Sequence, residues 1–252
     1  MTQSLWQKAK SDELPELQIM DIPTLEEIKK ASGYLDHDSS EDKIRLSDIE
    51  IAKIIEFTPE VSMFLRTDHT NTIHGLSHIG RVIVNTVFVT RCIGYDSGLL
   101  DVCLLAAELH DLRRQDDKGD IGHGNRAWNW FLANIKFLET RHPELFSVLN
   151  SSPKVYEMLK LAIVYHEVNY EDIPGLTNRN RNLLDILKTA DALDRYRLPK
   201  AKWFPNPQYI KLKKAIPLIP LCRNFTIETE ELILNGVPII NAINGWIIKN
   251  LS

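Results

Sequence analysis

Residues 99–114 read LLDVCLLAAELHDLRR, and this segment is the strongest indication of the architecture. From 99 to 109 nearly every position is apolar, so a helix formed here has no polar face and must be buried among other elements. His110 and Asp111 end the apolar run. An unpaired carboxylate is costly at a buried helix end, so something must compensate its charge. A metal ion bound by the imidazole and the carboxylate together does this directly.

Helical spacing continues on both sides of this segment. Apolar residues recur at helical intervals over 79–90, 125–139, 153–166 and 181–194. No convincing alternation of the kind that strands need is present. The sequence therefore predicts an all-α architecture, a helical bundle with the 99–109 helix at its centre.

Two regions depart from this regular pattern. The stretch 199–224 is rich in proline and lysine and predicts an irregular excursion, with a small β-hairpin left open within 199–227. Its lysines and Trp203 suggest a segment that covers the site and supplies specificity. A terminal helical region is expected from about 228 to 251, interrupted near Pro238.

The length of 252 residues fits one main domain with terminal additions. Residues 1–46 predict an N-terminal arm and helix that pack on the core, with 1–22 only loosely docked. Residues 47–252 predict the catalytic helical domain with a C-terminal extension. The first residues lack the apolar stretch of a secretory signal, and no run approaches the roughly 20 apolar residues of a membrane span, so a cytoplasmic protein without membrane contact is expected.

The composition is that of an ordinary folded protein, with 44% hydrophobic and 25% charged residues and a net charge of -4. No lysine- or arginine-rich block points to duplex nucleic acid. Cys92, Cys103 and Cys222 form no closely spaced pair, so a thiolate zinc site is not expected and all three predict small buried residues. Composition leaves the oligomeric state open.

The candidate metal ligands are histidine and aspartate residues at or beside helix ends: His78, His110, Asp111, His123, His166 and Asp191. Neutral imidazole together with carboxylate oxygen suits Mn²⁺, Fe²⁺, Co²⁺, Ni²⁺, Zn²⁺ or Mg²⁺. Of the other histidines, His37, His69 and His142 lie in polar stretches and predict surface positions. His74, four residues before His78, is a candidate substrate contact.

This ordered series resembles the HD-domain superfamily of metal-dependent phosphohydrolases. The resemblance covers about half the chain and is carried by HGLSHIGRV (74–82), LLAAELHDLRR (104–114), GDIGHGNRA (119–127), AIVYHE (162–167) and LKTADALDRYR (187–197). It implies an HD-type bundle in which four residues bind one divalent metal, namely His78, His110, Asp111 and Asp191. It also implies that Asp111 bridges to a second metal, with His123 and His166 as the two extra ligands.

The same resemblance implies hydrolysis of a phosphate ester or anhydride in a nucleotide or small phosphorylated metabolite, with a metal-activated water attacking phosphorus. Because the phosphate needs cationic partners, Arg113 and Arg114 are the first candidates for catalysis and substrate binding, together with Asp111 in catalysis. Lys188 is a candidate for both roles, and Arg126 and Arg195 are candidates for substrate binding. Asp194 is expected to pair with Arg195.

Two other functions remain open on the sequence. Some proteins similar to this family, such as myo-inositol oxygenase, use the same six-ligand pattern with iron to activate oxygen. A non-catalytic nucleotide-binding module is the other alternative. Oxygen consumption distinguishes the first from a hydrolase, and binding without turnover identifies the second.

Overall fold

The computed structural model describes residues 3–35, 44–95 and 97–251. Over these ranges the chain forms α-helices and 3₁₀ turns without a strand, which confirms the all-α prediction. The α-helices are α1 (Leu5–Lys10), α2 (Ile22–Ser32), α3 (Asp48–Phe57), α4 (Leu76–Ile93), α5 (Leu100–Leu109), α6 (His123–Ala133), α7 (Ile135–Arg141), α8 (Pro143–Ser151), α9 (Pro153–Tyr165), α10 (Asn182–Leu193), α11 (Ile219–Leu234) and α12 (Ile239–Leu251). The 3₁₀ turns are Val61–Met63, Thr67–Asn71, Ser97–Leu99, Tyr170–Asp172, Arg195–Arg197, Ala201–Trp203 and Lys213–Leu218.

Helix α4 is the centre of the bundle. Every residue from Leu76 to Thr90 is buried, and α3, α5, α10, α11 and α12 all pack against it. Its many β-branched residues do not turn it into a strand, because the apolar run is long and its positions follow helical spacing, and the helix ends at Gly94 in the left-handed conformation. The buried position of α4 holds His78, in its first turn, deep inside the protein.

Helices α5 and α10 pack against α4 and against each other, and α9 packs against both of them. Helix α6 approaches α9 closely because Gly124 has no side chain: a Cβ there would lie 2.4 Å from the carbonyl oxygen of Ile163. This close approach brings the start of α6, which carries His123, to the end of α9, which carries His166.

The N-terminal residues form a second apolar cluster on the bundle. Leu5, Trp6 and Ile28 are buried there together with Leu198 and Ile227 from the far end of the chain. The prediction of a loosely docked arm over 1–22 is wrong for its described part, because aromatic and aliphatic residues spaced among polar ones supply a buried face. The arm packs directly on the segment that follows α10.

Two other local predictions are corrected. The β-hairpin that the sequence allowed within 199–227 is not formed. Ala201–Trp203 and Lys213–Leu218 are 3₁₀ turns, and α11 begins at Ile219 with a proline in its first turn. The single helix expected over 125–139 is divided at Asn134 into α6 and α7. The break expected near Pro238 is confirmed, between α11 and α12.

The polar context of the remaining histidines was misleading. His69 and His142 are buried, at 4% and 1% exposure, and His37 lies outside the described residues. His142 stacks on the ring of Phe57 at 4.2 Å and reaches the carboxylates of Glu56 and Glu108. Over the described ranges, no helix has the length and apolar character needed to cross a bilayer.

Candidate metal centre

Five helix ends converge on one buried point. His110 and His166 are the C-terminal caps of α5 and α9, and Asp191 lies in the last turn of α10. His78 and His123 lie in the first turns of α4 and α6. The structure therefore brings together the six residues singled out in the sequence, and their side chains form groups that can hold a metal ion.

One donor group consists of His78, His110 and Asp191. The Nε2 atoms of His78 and His110 lie 3.1 Å apart, and the Nε2 of His78 lies 3.4 Å from an oxygen of Asp191. Both imidazoles are fully buried. We call these three residues the α4 group.

The second donor group consists of His123, His166 and Asp111. The Nε2 atoms of the two histidines lie 2.8 Å apart. The Oδ1 of Asp111 lies 3.0 Å from the Nε2 of His123 and 3.4 Å from that of His166. We call these three residues the α6 group.

Asp111 lies between the two groups. Its Oδ1 faces the α6 group, whereas its Oδ2 lies 3.5 Å from the Nε2 of His78 and 3.9 Å from that of His110. Burial alone would raise the pKa of Asp111, but the charge of Arg114 and contacts with the imidazoles hold it well below its ordinary range. The carboxylate is therefore ionised and presents one oxygen to each side.

The outer nitrogens of the imidazoles fix which atoms face inward. The Nδ1 atoms of His110, His123 and His166 lie 2.7, 2.7 and 2.9 Å from the backbone carbonyls three residues earlier. A carbonyl only accepts, so each Nδ1 carries the proton, and in the neutral ring Nε2 offers a lone pair. Burial lowers the pKa of His110 to about 3, which keeps that ring neutral.

Where the rings are neutral, the inward lone pairs of each histidine pair face one another at hydrogen-bond distance. Burial would lower the pKa of His123, but its hydrogen bond to Asp111 raises it, so a proton on that ring competes with a metal ion for this position. Two such pairs, together with an ionised carboxylate, repel one another unless a cation lies among them. A divalent metal ion fits this donor set, because imidazole nitrogen and carboxylate oxygen are its usual protein ligands. His74 also offers a ligand atom that lies within 4.8 Å of ligand atoms of His78 and Asp111.

A buried ionic network orients His78. Its Nδ1 lies 2.8 Å from Asp194, which is fully buried and also accepts hydrogen bonds from Arg81 at 2.6 Å and Thr226 at 2.9 Å. Arg81 in turn donates to Glu230 of α11 at 2.7 Å. The expected pairing of Asp194 with Arg195 is not formed, because Asp194 points into the bundle towards the fully buried Arg81.

The cationic candidates separate into two sets. Arg114 contacts both Asp111 and His123, at 3.4 and 3.3 Å, and is held by the carbonyls of Asp116 and Lys118. By contrast, Arg113 donates to the carbonyl of Met63 and lies over the ring of Trp130. Among the described residues, Arg113 is not one of those that line the site cavity.

Arg126 also serves the site from outside that cavity. It donates to the carbonyl of Arg113 and to the carboxylate of Asp120, the residue whose carbonyl accepts from His123. Arg126 therefore supports the loop before α6 and, over the described residues, is not part of the cavity wall.

A cavity of about 460 Å³ opens onto both donor groups. Its wall carries five cationic side chains, Arg114, Lys188, Arg195, Arg197 and Lys202, against three carboxylates, Asp111, Glu167 and Asp191. Burial and the nearby charge of Lys211 lower the pKa of Lys188 to about 8, while its ammonium donates to the carbonyls of His166 and Val168. Residues 202–206, Tyr209 and Ile210 also line this cavity, so part of the 199–224 stretch borders the site, and its role in specificity stays a prediction.

Two residues of the site, Arg197 and Glu167, were not singled out in the sequence, and a third, His74, was named there only as a substrate contact. Arg197 reaches Asp191 at 3.5 Å and donates to the carbonyl of Ile73 at 2.7 Å. Glu167 lies 3.3 Å from the Nδ1 of His123 and accepts from the backbone of Gly122. His74, treated in the sequence as a substrate contact, lies 3.0 Å from Asp111. Glu167 and Arg197 end the motifs AIVYHE (162–167) and LKTADALDRYR (187–197), and this position next to candidate ligands was the available signal for them.

No protein-family model, curated protein or solved structure matches the chain. The resemblance to the HD-domain superfamily therefore rests on the sequence motifs, and it stays a prediction.

Proposed function

We propose that this protein is a metal-dependent hydrolase of a phosphate ester or anhydride, of the HD-domain type, that uses two divalent cations. The observation that supports it best is the position of Asp111, whose two oxygens each face a different group of imidazoles. A single cation would need only one of these groups. A carboxylate between two donor groups is the arrangement expected of a ligand shared by two ions.

The α4 group with Asp111 Oδ2 would hold one cation, and the α6 group with Asp111 Oδ1 would hold the other. Bound metal ions lower the pKa of a coordinated water and polarise phosphoryl oxygens. The chain's own residues bind and orient the substrate around them. Arg114, Arg195 and Arg197 are the guanidinium groups on the wall, and guanidinium matches the geometry of phosphate oxygens.

The charge of the cavity favours an anionic substrate. Five cationic side chains outnumber three carboxylates even before any metal charge is added. Such a cleft attracts phosphate and stabilises the charge that develops on its oxygens during transfer. The alternative function, an oxygenase of the myo-inositol oxygenase type, would act on an uncharged polyol. Such a substrate does not need these guanidinium groups.

The test is metal analysis combined with turnover. Protein purified with Mn²⁺ or Co²⁺ should hold two equivalents per chain and release phosphate or alcohol from a panel of phosphomonoesters, diesters and nucleotides without oxygen. The variants His78→Asn and His123→Asn should each lose one equivalent, because they belong to different donor groups. His142→Gln is the matched control, since His142 is buried outside the site and should leave metal content unchanged.

Other results would reject the proposal. Oxygen consumption by iron-loaded protein without phosphate hydrolysis would favour the oxygenase. Nucleotide binding without turnover across the metals would favour a binding module. One equivalent of metal, lost in full by either variant, would show that the donor groups act as a single site.

A further inference from the structure

A second cavity, of about 420 Å³, meets the first at the donor groups. The two cavities share His74, Arg114, Asp191, Arg195, Arg197 and Trp203 on their walls. We call the first the main cavity and the second the N-terminal cavity, because Leu14 and Gln18 line the second alone. The site is thus open to two spaces, and each has a size typical of small-molecule pockets.

The wall of the N-terminal cavity is built by specific hydrogen bonds. The backbone nitrogen of Gln18 donates to the carboxylate of Asp117 at 2.7 Å, and its side-chain amide donates to the carbonyl of Asp117 at the same distance. Backbone bonds join Asp117 to Glu16 and Ile73 to Gln18, at 2.7 and 2.8 Å. The N-terminal arm is therefore fixed to the loop beside Arg114, so this cavity is a regular part of the fold.

The two cavities differ in chemistry. Trp203 is shared, but Phe204, Tyr209 and Lys202 line only the main cavity, which also holds the residues of the α6 group. The N-terminal cavity adds the apolar side chains of Leu14, Ile73 and Leu198 together with exposed Lys118. Each cavity thus offers apolar surface and a lysine of its own.

A phosphate with one substituent needs only one of these spaces. We propose that the preferred substrates are disubstituted phosphates, with one substituent in the main cavity and the other in the N-terminal cavity. This inference rests on the proposed hydrolase function. In the reaction, water oxygen bonds to phosphorus, one P–O bond to a substituent breaks, and the departing oxygen takes up the proton released by water. The products are a monosubstituted phosphate and an alcohol.

The experiment compares bis(p-nitrophenyl) phosphate with p-nitrophenyl phosphate on metal-loaded protein. The wild type should have the higher kcat/KM for the diester. Leu14→Trp fills the N-terminal cavity and should lower kcat/KM for the diester about tenfold or more, as expected when a pocket loses room for a group, while leaving the monoester unchanged. Leu14→Ala is the size control and should retain the preference for the diester.

Lys118→Glu provides a test that does not depend on packing, since Lys118 is exposed. The probe for this variant is a diester in which one aryl group carries a carboxylate, because the p-nitrophenyl group is uncharged. Lys118→Glu should lower kcat/KM for that diester more than for bis(p-nitrophenyl) phosphate, whereas Lys202→Glu in the main cavity should lower it for both. Calorimetric binding of both probes, with and without Mn²⁺, gives a readout separate from turnover. A binding preference for the diester that Leu14→Trp abolishes would support the placement of the two substituents in the two cavities even if neither probe were hydrolysed, whereas the hydrolase proposal, and with it the substrate role, would then fail. Equal effects of Leu14→Trp on both probes, or a wild-type preference for the monoester in binding and turnover, would overturn the inference while leaving the hydrolase proposal intact.

Discussion

Asparagine in place of Asp194 should weaken metal binding by the α4 group, although no candidate ligand is replaced. Asp194 accepts from His78, Arg81 and Thr226 while fully buried. An asparagine of the same shape has one acceptor oxygen, and its amide would direct N–H groups at another donor. The buried guanidinium of Arg81 would keep only Glu230 as a charged partner.

The size of the effect follows from what is left unpaired. Breaking a buried ion pair costs about 3 to 5 kcal/mol, and the remaining contact with Glu230 places Asp194→Asn near the lower end, about 3 kcal/mol. For a chain of this size that is a fall in Tm of about 6 to 12 °C. Loss of the carboxylate behind a metal-binding imidazole should weaken metal affinity about 10- to 100-fold.

Two measurements separate the effects. Thermal unfolding of metal-free protein reports the lost ion pair, and calorimetric titration with Zn²⁺ or Co²⁺ reports the orientation of His78. Thr226→Val, which removes a neutral hydrogen bond to the same carboxylate, should cost about 1 kcal/mol and leave metal affinity nearly unchanged. Metal affinity that stays at the wild-type value in Asp194→Asn would refute the idea that this carboxylate orients His78.

Gly124→Ala should force α6 away from α9, because its Cβ would lie 2.4 Å from a backbone oxygen of α9; the cost should reach about 3 kcal/mol, with loss of one metal equivalent by elemental analysis. His142→Gln should destabilise the protein most at low pH. Burial opposes the charged form of His142, but Glu108 raises its pKa. The stabilisation that the charged ring contributes is therefore complete below the ordinary pKa of 6.5 and is lost as the pH rises through the folded-state pKa. Urea unfolding from pH 5 to 9 checks this, and a difference from wild type that ignored pH would contradict it. Arg114→Met should weaken inorganic phosphate binding about 10- to 100-fold and raise the pKa of Asp111, measured by calorimetry and by the pH dependence of Mn²⁺ affinity; unchanged phosphate affinity would exclude Arg114 as a phosphate contact.

The sequence was most informative where a residue conflicts with its surroundings. A histidine and an aspartate at the end of an almost wholly apolar helix have no inexpensive structural explanation, and the structure indeed places them in a buried donor cluster. The apolar run of α5 predicted a buried helix for the same reason, since a segment without a polar face can only lie inside.

Other features depend on distances that the sequence does not contain. Arg113 and Arg114 are adjacent and chemically identical, yet only Arg114 faces the donor groups, because the turn that follows α5 points the two side chains in different directions. Buried His142 gave no signal either, since its neighbours in the chain are polar and its stacking partner Phe57 is far away in sequence. The N-terminal arm was underestimated because its apolar residues are spread among charged ones, and their common face appears only after folding.

The carbonyl anchors of His110, His123 and His166 orient these imidazoles locally, since each Nδ1 donates to a carbonyl three residues earlier in the chain. His78, by contrast, is held through Asp194 and Arg81, which connect it to Glu230 of α11. Loosening of α11 would therefore disorient the α4 group and spare the anchors of the α6 group. If the two proposed cations bind, the protein would then lose one of them and keep the other.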